Sequence, residues 1–340
     1  MKKVFSVLVL LCILPMLCSC GLFGKKSYDF SYISSDRYVS GNTTIDASEK
    51  FKTVHVDWYN GSVSIVSADV NTITIEETIK DNKEVDDDHK VHYMYNEDSI
   101  SIKYGKSGVK DYDGIVKDLK VIVPQVDDYY IGVISYDADV YVDASAYENT
   151  IDKMSISSVS ALVDVKISSA DEVYISGQNN DIKDSNRQYF KIVSSGTINS
   201  LNINSTYANV IIEADEILKI GDTFGSLFNE THISANKMNN LSFDTAKGAA
   251  YVAVKEFKSI DINAKKKAVY IYVLSDCEFH LVVDRNIKVY PEDKEYISNK
   301  TEVNFENATK ISGDEYKYGS GSKEIKVSTI NEVYLVCISG

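Results

Sequence analysis

Between Val210 and Val283 the chain repeats itself in register. Ile233-x-Ala235 and Leu241-x-Phe243 recur nineteen residues later as Val252-x-Val254 and Ile260-x-Ile262, and nineteen later again as Ile271-x-Val273 and Phe279-x-Leu281. Val210-x-Ile212 and Leu218-x-Ile220 match them after a longer step of twenty-three, and within each unit the two segments stay eight residues apart. Alternation of apolar and polar residues marks a strand, and a fixed long period marks a repeat architecture. Two such short strands cannot bury a face alone. Stacking Ile233 on Val252 on Ile271 builds a continuous core. The expected fold is therefore all-β: a β-solenoid (β-helix-like) stack of short two-strand coils with a period of about 19 residues. The surplus between Ile220 and Ile233 is expected to bulge as a loop around Thr223-Phe224-Gly225-Ser226.

The pattern weakens on either side. From Val165-x-Ile167 and Val173-x-Ile175 the steps run 17, 11 and 17 through Phe190, Leu201 and Leu218, so residues 176–205 have no assigned path. Nearer the start, Val54-x-Val56 and Val63-x-Ile65 flank Asn60-Gly61, a strong turn signal between alternating runs. Asp81 to Lys90 and Lys103 to Asp118 read as charged, exposed loops around the Ser99–Ile102 strand, and Leu119 to Pro124 as a strand ended by proline. Near the end, Ile325-x-Val327 and Val333-x-Leu335 restore the offset of eight behind Tyr318-Gly319-Ser320-Gly321-Ser322. They are expected to close the open end of the stack. No stretch after the N-terminal leader has the period of an amphipathic helix.

That leader divides the chain. Lys2-Lys3 precede an apolar run from Val4 to Leu17, too short for a comfortable membrane span, and Leu17-Cys18-Ser19-Cys20 follows. This resembles a bacterial lipobox, with a branched apolar residue three before the modified cysteine and a small one just before it. Residues 1–19 are then a lipoprotein signal peptide, Cys20 is the lipidation site, residues 20–50 hold the lipidated cysteine and a polar tether, and 51–340 form the repetitive domain. An ordinary cleaved signal or a short anchor is the plainer alternative. Acyl chains on Cys20 would bury their methylenes in the membrane, leaving the domain extracytoplasmic, at the cell surface or in the envelope. A formal net charge of −14 argues against nucleic acid or an anionic membrane surface as the main partner. Cys277 and Cys337 remain in the domain, as a disulfide or as two buried thiols.

Three places together resemble the bacterial envelope family known as the “putative adhesin” proteins: Asn60-Gly61-Ser62-Val63-Ser64-Ile65, Leu119-Lys120-Val121-Ile122-Val123-Pro124, and the Tyr-Gly-Ser-Gly-Ser turn with Ile325 to Asn331. The likeness spans about residues 50–340 and implies a repetitive β-domain of unknown function with no catalytic residues to transfer. The chain departs from the family's Ser-Gly turns. Ser195-Gly196 keeps one, whereas Tyr136-Asp137, Ser158-Val159 and Asn331-Glu332 stand at comparable places.

No catalytic constellation stands out. His89-Lys90-Val91-His92 after three aspartates lacks metal-ligand geometry, and Asp127-Asp128 and Asp137-x-Asp139 lack a calcium loop and read as turn aspartates. No P-loop, dinucleotide fingerprint or nucleophile motif is present, so neither metal nor cofactor is implied. A polysaccharide-active β-helix enzyme is disfavoured, since only Arg37, Arg187 and Arg285 are available to hold an acidic sugar. The one surface feature is a row. With Val252 and Ile271 inward, Tyr251 and Tyr270 point outward in register, with His232 one coil earlier and Tyr272 on the same face. Adjacent coils would stack these rings about 4.8 Å apart, a contact ladder for a glycan or protein of the cell envelope. The plainer alternatives are that tyrosine simply suits an exposed strand, or that residues 284–320 cover the row. The sequence thus points to a non-enzymatic adhesion or envelope-interaction module, with a signalling or envelope-stress accessory that binds a membrane protein as the second hypothesis.

Overall fold

The computed structural model describes residues 31–338, apart from 34, 110–111, 113, 147–149, 160–161, 178–188, 207, 222–228, 246–247 and 287–297. The signal segment, Cys20 and the loop expected around Thr223–Ser226 lie outside the described residues. Within them the chain is all-β, twenty-two strands with only single 3-10 turns between. Cys277 and Cys337 are free thiols, the first buried and the second half-buried.

Two columns of stacked apolar residues make the core, because parallel strands pair residue over equivalent residue. On one face Ile65, Val142, Val165, Ile192, Ile212, Ile233, Val252, Ile271 and Leu335 succeed one another across nine strands. On the other, Val54, Ile131, Met154, Val173 and Leu201 do the same, as do Leu241, Ile260, Ile325 and Leu281 farther on. Every one of these residues is 2% exposed or less. Burying a side chain of this size contributes about 1.5–3 kcal/mol.

The strands are not the short pairs that the spacing suggests. Thr53–Ala68, Tyr130–Ala144, Tyr189–Ser205, Thr231–Thr245 and Ala250–Ala264 each run through both faces, bending once between them. A strand that serves two faces can keep one neighbour along its whole length and change the other between its halves, as Tyr130–Ala144 does. Thus Tyr130–Ala144, Thr150–Ser158, Ser169–Gly177, Tyr189–Ser205 and Val163–Ile167 close a ring of parallel pairings. Asn60-Gly61 is such a bend and not the hairpin turn its sequence suggests. Gly61 has φ +101°, and a Cβ there would lie 2.1 Å from the carbonyl oxygen of Lys117.

The irregular step of eleven also resolves. Phe190 and Leu201 lie on the two faces of one strand, which carries one extra residue where Ser194 and Thr197 oppose Ala214 and Glu216. In the next strand Leu218 is half-exposed and Ile220 takes the buried place bridged to Leu201, so the assignment of Leu218 to the core row is corrected.

Antiparallel strands finish both ends. Thr72–Ile79 lies against Lys117–Pro124, and His92–Asn96 against Ser99–Lys103, at the N-terminal end. Phe279–Asp284, Glu315–Tyr318 and Thr309–Ser312 do so at the other. The last strands, Lys323–Ser328 and Val333–Ile338, do not close the stack as expected. They lie inside it: Lys323–Ser328 pairs with both Ala250–Ala264 and Phe279–Asp284, and Val333–Ile338 with both Val269–Leu274 and Thr301–Asn304. Phe279-x-Leu281 therefore does not rest on Ile260-x-Ile262, despite the nineteen-residue period.

Candidate functional site

The two outer faces of the stack differ in chemistry. One carries Lys219, Asn240, Ser259 and Glu324 in one row and Ser242, Asp261 and Lys326 in the next, a polar surface. The other, over the C-terminal half, carries Ile211, His232, Tyr251, Tyr270 and Tyr334 in a single row. Beside that row run Ala253, Tyr272 and Val336.

Parallel, in-register pairing forces the rings of one row into a stack. His232 and Tyr251 lie 4.3 Å apart and 6° from parallel, Tyr251 and Tyr270 4.9 Å and 3°, and Tyr270 and Tyr334 4.8 Å and 4°. All four are half-buried. Three of the rings are those the sequence pointed to. Tyr334 was missed because its register depends on the inserted C-terminal strand, which no period announces. Tyr272 shares the face but stands in the neighbouring row between Ala253 and Val336, so no ring of the ladder stacks on it.

Stacked this way, the inner rings spend their faces on each other and present edges and hydroxyls to solvent. Carboxylates attend both ends. Glu230 lies 3.0 Å from the His232 ring, and burial, aided by Glu230, raises the Tyr251 hydroxyl above its ordinary value. Tyr334 donates to Glu332, which holds that phenol protonated to higher pH. The same bond, with one from Ser298, holds Glu332 below the usual carboxylate range. The Lys300 ammonium sits 5.4 Å from the Tyr334 ring centre. Beside His232 and Tyr251 lies an open depression of about 800 Å³, lined by Ile211, Ala214, Ala253, Tyr272 and Ile338 and by the polar Glu213, Asn236 and Lys255. The arrangement suits adsorption and hydrogen bonding. It aligns no nucleophile with a base.

A second cluster escaped the sequence reading. Lys117 is fully buried at the N-terminal end, in the segment expected to be an exposed loop. Its Nζ lies 2.6 Å from Glu77, itself buried, and 3.9 Å from the Tyr104 ring centre and 5.1 Å from that of Trp58. It donates to the carbonyls of His89, at 2.7 Å, and Tyr104. Burial pulls its pKa down to about 8 against the opposing pull of Glu77. Closed to solvent, paired with Glu77 and donating to two backbone carbonyls, Lys117 is structural. His89 and His92 are placed separately: His89 Nδ1 meets Asp86 at 2.6 Å, and His92 Nδ1 the Lys90 carbonyl at 2.9 Å. Asp128, with φ +54°, forms a turn and pairs with Lys52.

No family model and no curated protein matches this chain. Among solved structures it is similar to a “putative cell adhesion protein” from Clostridium sporogenes, at 8% identity and TM-score 0.24 over 87% of this chain and 99% of that one. It is also similar to a “putative adhesin” from Parabacteroides merdae, at 13% and 0.38 over 88% and 96%. A third, a “putative adhesin” from Parabacteroides distasonis, stands at 11% and 0.31 over 87% and 96%. At such values the site must be judged on its own geometry.

Proposed function

We propose that this chain is a non-enzymatic binding module of the bacterial envelope, a β-solenoid held to the membrane by lipid on Cys20. Its aromatic face contacts a glycan or protein ligand. The observation that carries this is the half-exposed stack His232–Tyr251–Tyr270–Tyr334, with a depression beside its His232–Tyr251 end. Contiguous apolar and aromatic surface of this kind costs solubility and is enriched at sites of contact. Tyrosine suits the role, offering a rigid apolar body with a polar tip.

The test is the variant Tyr251→Ser with Tyr270→Ser. Surface cross-strand pairs contribute only about 0.2–1 kcal/mol each, so the fold should survive. Attachment to isolated cell wall should fall about tenfold or more, the effect of losing about 1.4 kcal/mol of contact. Undiminished attachment by a folded double variant would sink the proposal. Adducts with a membrane protein, and none with wall material, after crosslinking in intact cells would replace it with the signalling role.

A further inference from the structure

One complete two-face layer enters the stack out of chain order. Lys323–Ser328 places Ile325 between Ile260 and Leu281, and Val333–Ile338 places Leu335 between Ile271 and Val303. Ile325, Val327, Val333 and Leu335 are completely buried there. Without this layer the stack has a slot one strand wide on both faces.

The layer hangs on a hinge. Tyr318 pairs with Phe279 on one side of the Phe279–Asp284 strand, and Lys323 pairs with the same Phe279 on the other. Gly319-Ser320-Gly321-Ser322 must therefore cross the end of that strand within four residues. Both glycines take positive φ, +59° and +70°, and the Glu278 carboxylate accepts from the Ser320 amide and hydroxyl. The connection between its two strands is latched by Arg285, which donates to the carbonyls of Thr329 and Asn331 and to that of Lys300, and pairs with Asp314 at 3.2 Å.

We propose that this layer exchanges between copies, so that residues 323–338 of one chain fill the slot of a second and the reverse, giving a strand-swapped dimer. The occupant fits by construction, since the exchanged contacts are those already made within one chain. A glycine-rich hinge forced through a tight crossing is the kind of element that opens to permit exchange. The opened chain also keeps its faces in order. Removal of one parallel layer leaves inward rows facing inward, because Ile260 and Leu281, the residues on either side of Ile325, face the same core. In the dimer Tyr334, Val336 and Ile338 of each aromatic face would come from the other copy. Exchange depends on strand order alone, whatever that face binds.

Ser259 and Glu324 are register partners on adjacent parallel strands of the polar outer face, a spacing a disulfide can bridge. The full chain, with its native cysteines replaced by alanine or serine, is made as Ser259→Cys, as Glu324→Cys and with both substitutions together. The two single variants are mixed at high concentration, oxidised and digested. Expected is a cross-chain bond between the peptides holding positions 259 and 324, increased several-fold by Arg285→Ala. The double variant, oxidised when dilute, should lock within one chain and give no dimer. If the double variant forms its internal bond but the mixture gives no cross-chain bond, with or without Arg285→Ala, exchange is refuted. If neither bond forms, the strand order is wrong and exchange falls with it.

Discussion

Lys117 shows how a single side chain can decide local stability without serving the surface. Its ammonium is fully buried against Glu77 and two aromatic rings. Removing one member of a buried pair leaves the other charge unpaired, at about 3–5 kcal/mol, whereas replacing both with apolar groups of similar size is often nearly neutral. Glu77→Gln should therefore lower the denaturation free energy by about that range, and Glu77→Leu with Lys117→Met should recover most of it. The pH dependence has a definite sign. The folded pKa, about 8, lies below the ordinary value of 10.5, so the unfolded chain holds the proton more tightly between those limits. Stability relative to Lys117→Met should be lowest below pH 8 and should rise by about 3 kcal/mol up to pH 10.5, in paired denaturant titrations. The position was legible in part. Lys117 shares parity with Leu119, Val121 and Val123, and Glu77 with Ile73 and Ile75, and all of these except the two charged residues read as inward-facing. Composition hid what alternation showed, because a run rich in Gly, Lys and Asp reads as loop.

At the scale of the strand, the recurring device is a bend that carries one strand from the first face to the second. The Thr53–Ala68 strand makes it at Asn60-Gly61, where positive φ and the approach of the Lys117 carbonyl both demand glycine. Gly61→Ala should cost at least about 2 kcal/mol in thermal or denaturant unfolding, from the disfavoured backbone conformation alone. An alanine variant of native stability would show that the bend lies elsewhere. Here the sequence misleads for a physical reason: Asn-Gly marks a place where positive φ is easily adopted, but a hairpin turn of this kind needs it at both residues, whereas the bend needs it at Gly61 alone. The stacked rings are the opposite case. Period and alternation sufficed to put His232, Tyr251 and Tyr270 in one row, since parallel register is a direct consequence of equal spacing. Tyr334 joins them through a strand sixty-four residues beyond Tyr270, and no local signal encodes that pairing.

Across the whole molecule, the repeat carries the core and the departures from it carry the individuality. All-β stacking follows from Val210 to Val283 because apolar columns there must bury their faces. The antiparallel ends and the inserted C-terminal layer come from segments whose spacing is irregular, so their partners are set by packing at long range. The contrast between a polar outer face and an aromatic one emerges only when the rows are assembled. The most direct test of that face as a contact surface is hydroxyl-radical footprinting with mass spectrometry, on the full chain alone and bound to isolated cell envelopes. Tyr251, Tyr270, Tyr272 and Tyr334 should be oxidised in the free protein and shielded in the bound one, while Tyr174, half-buried on the other outer face, keeps the same reactivity in both. Shielding concentrated on the opposite polar face, with the four tyrosines unchanged, would contradict the assignment.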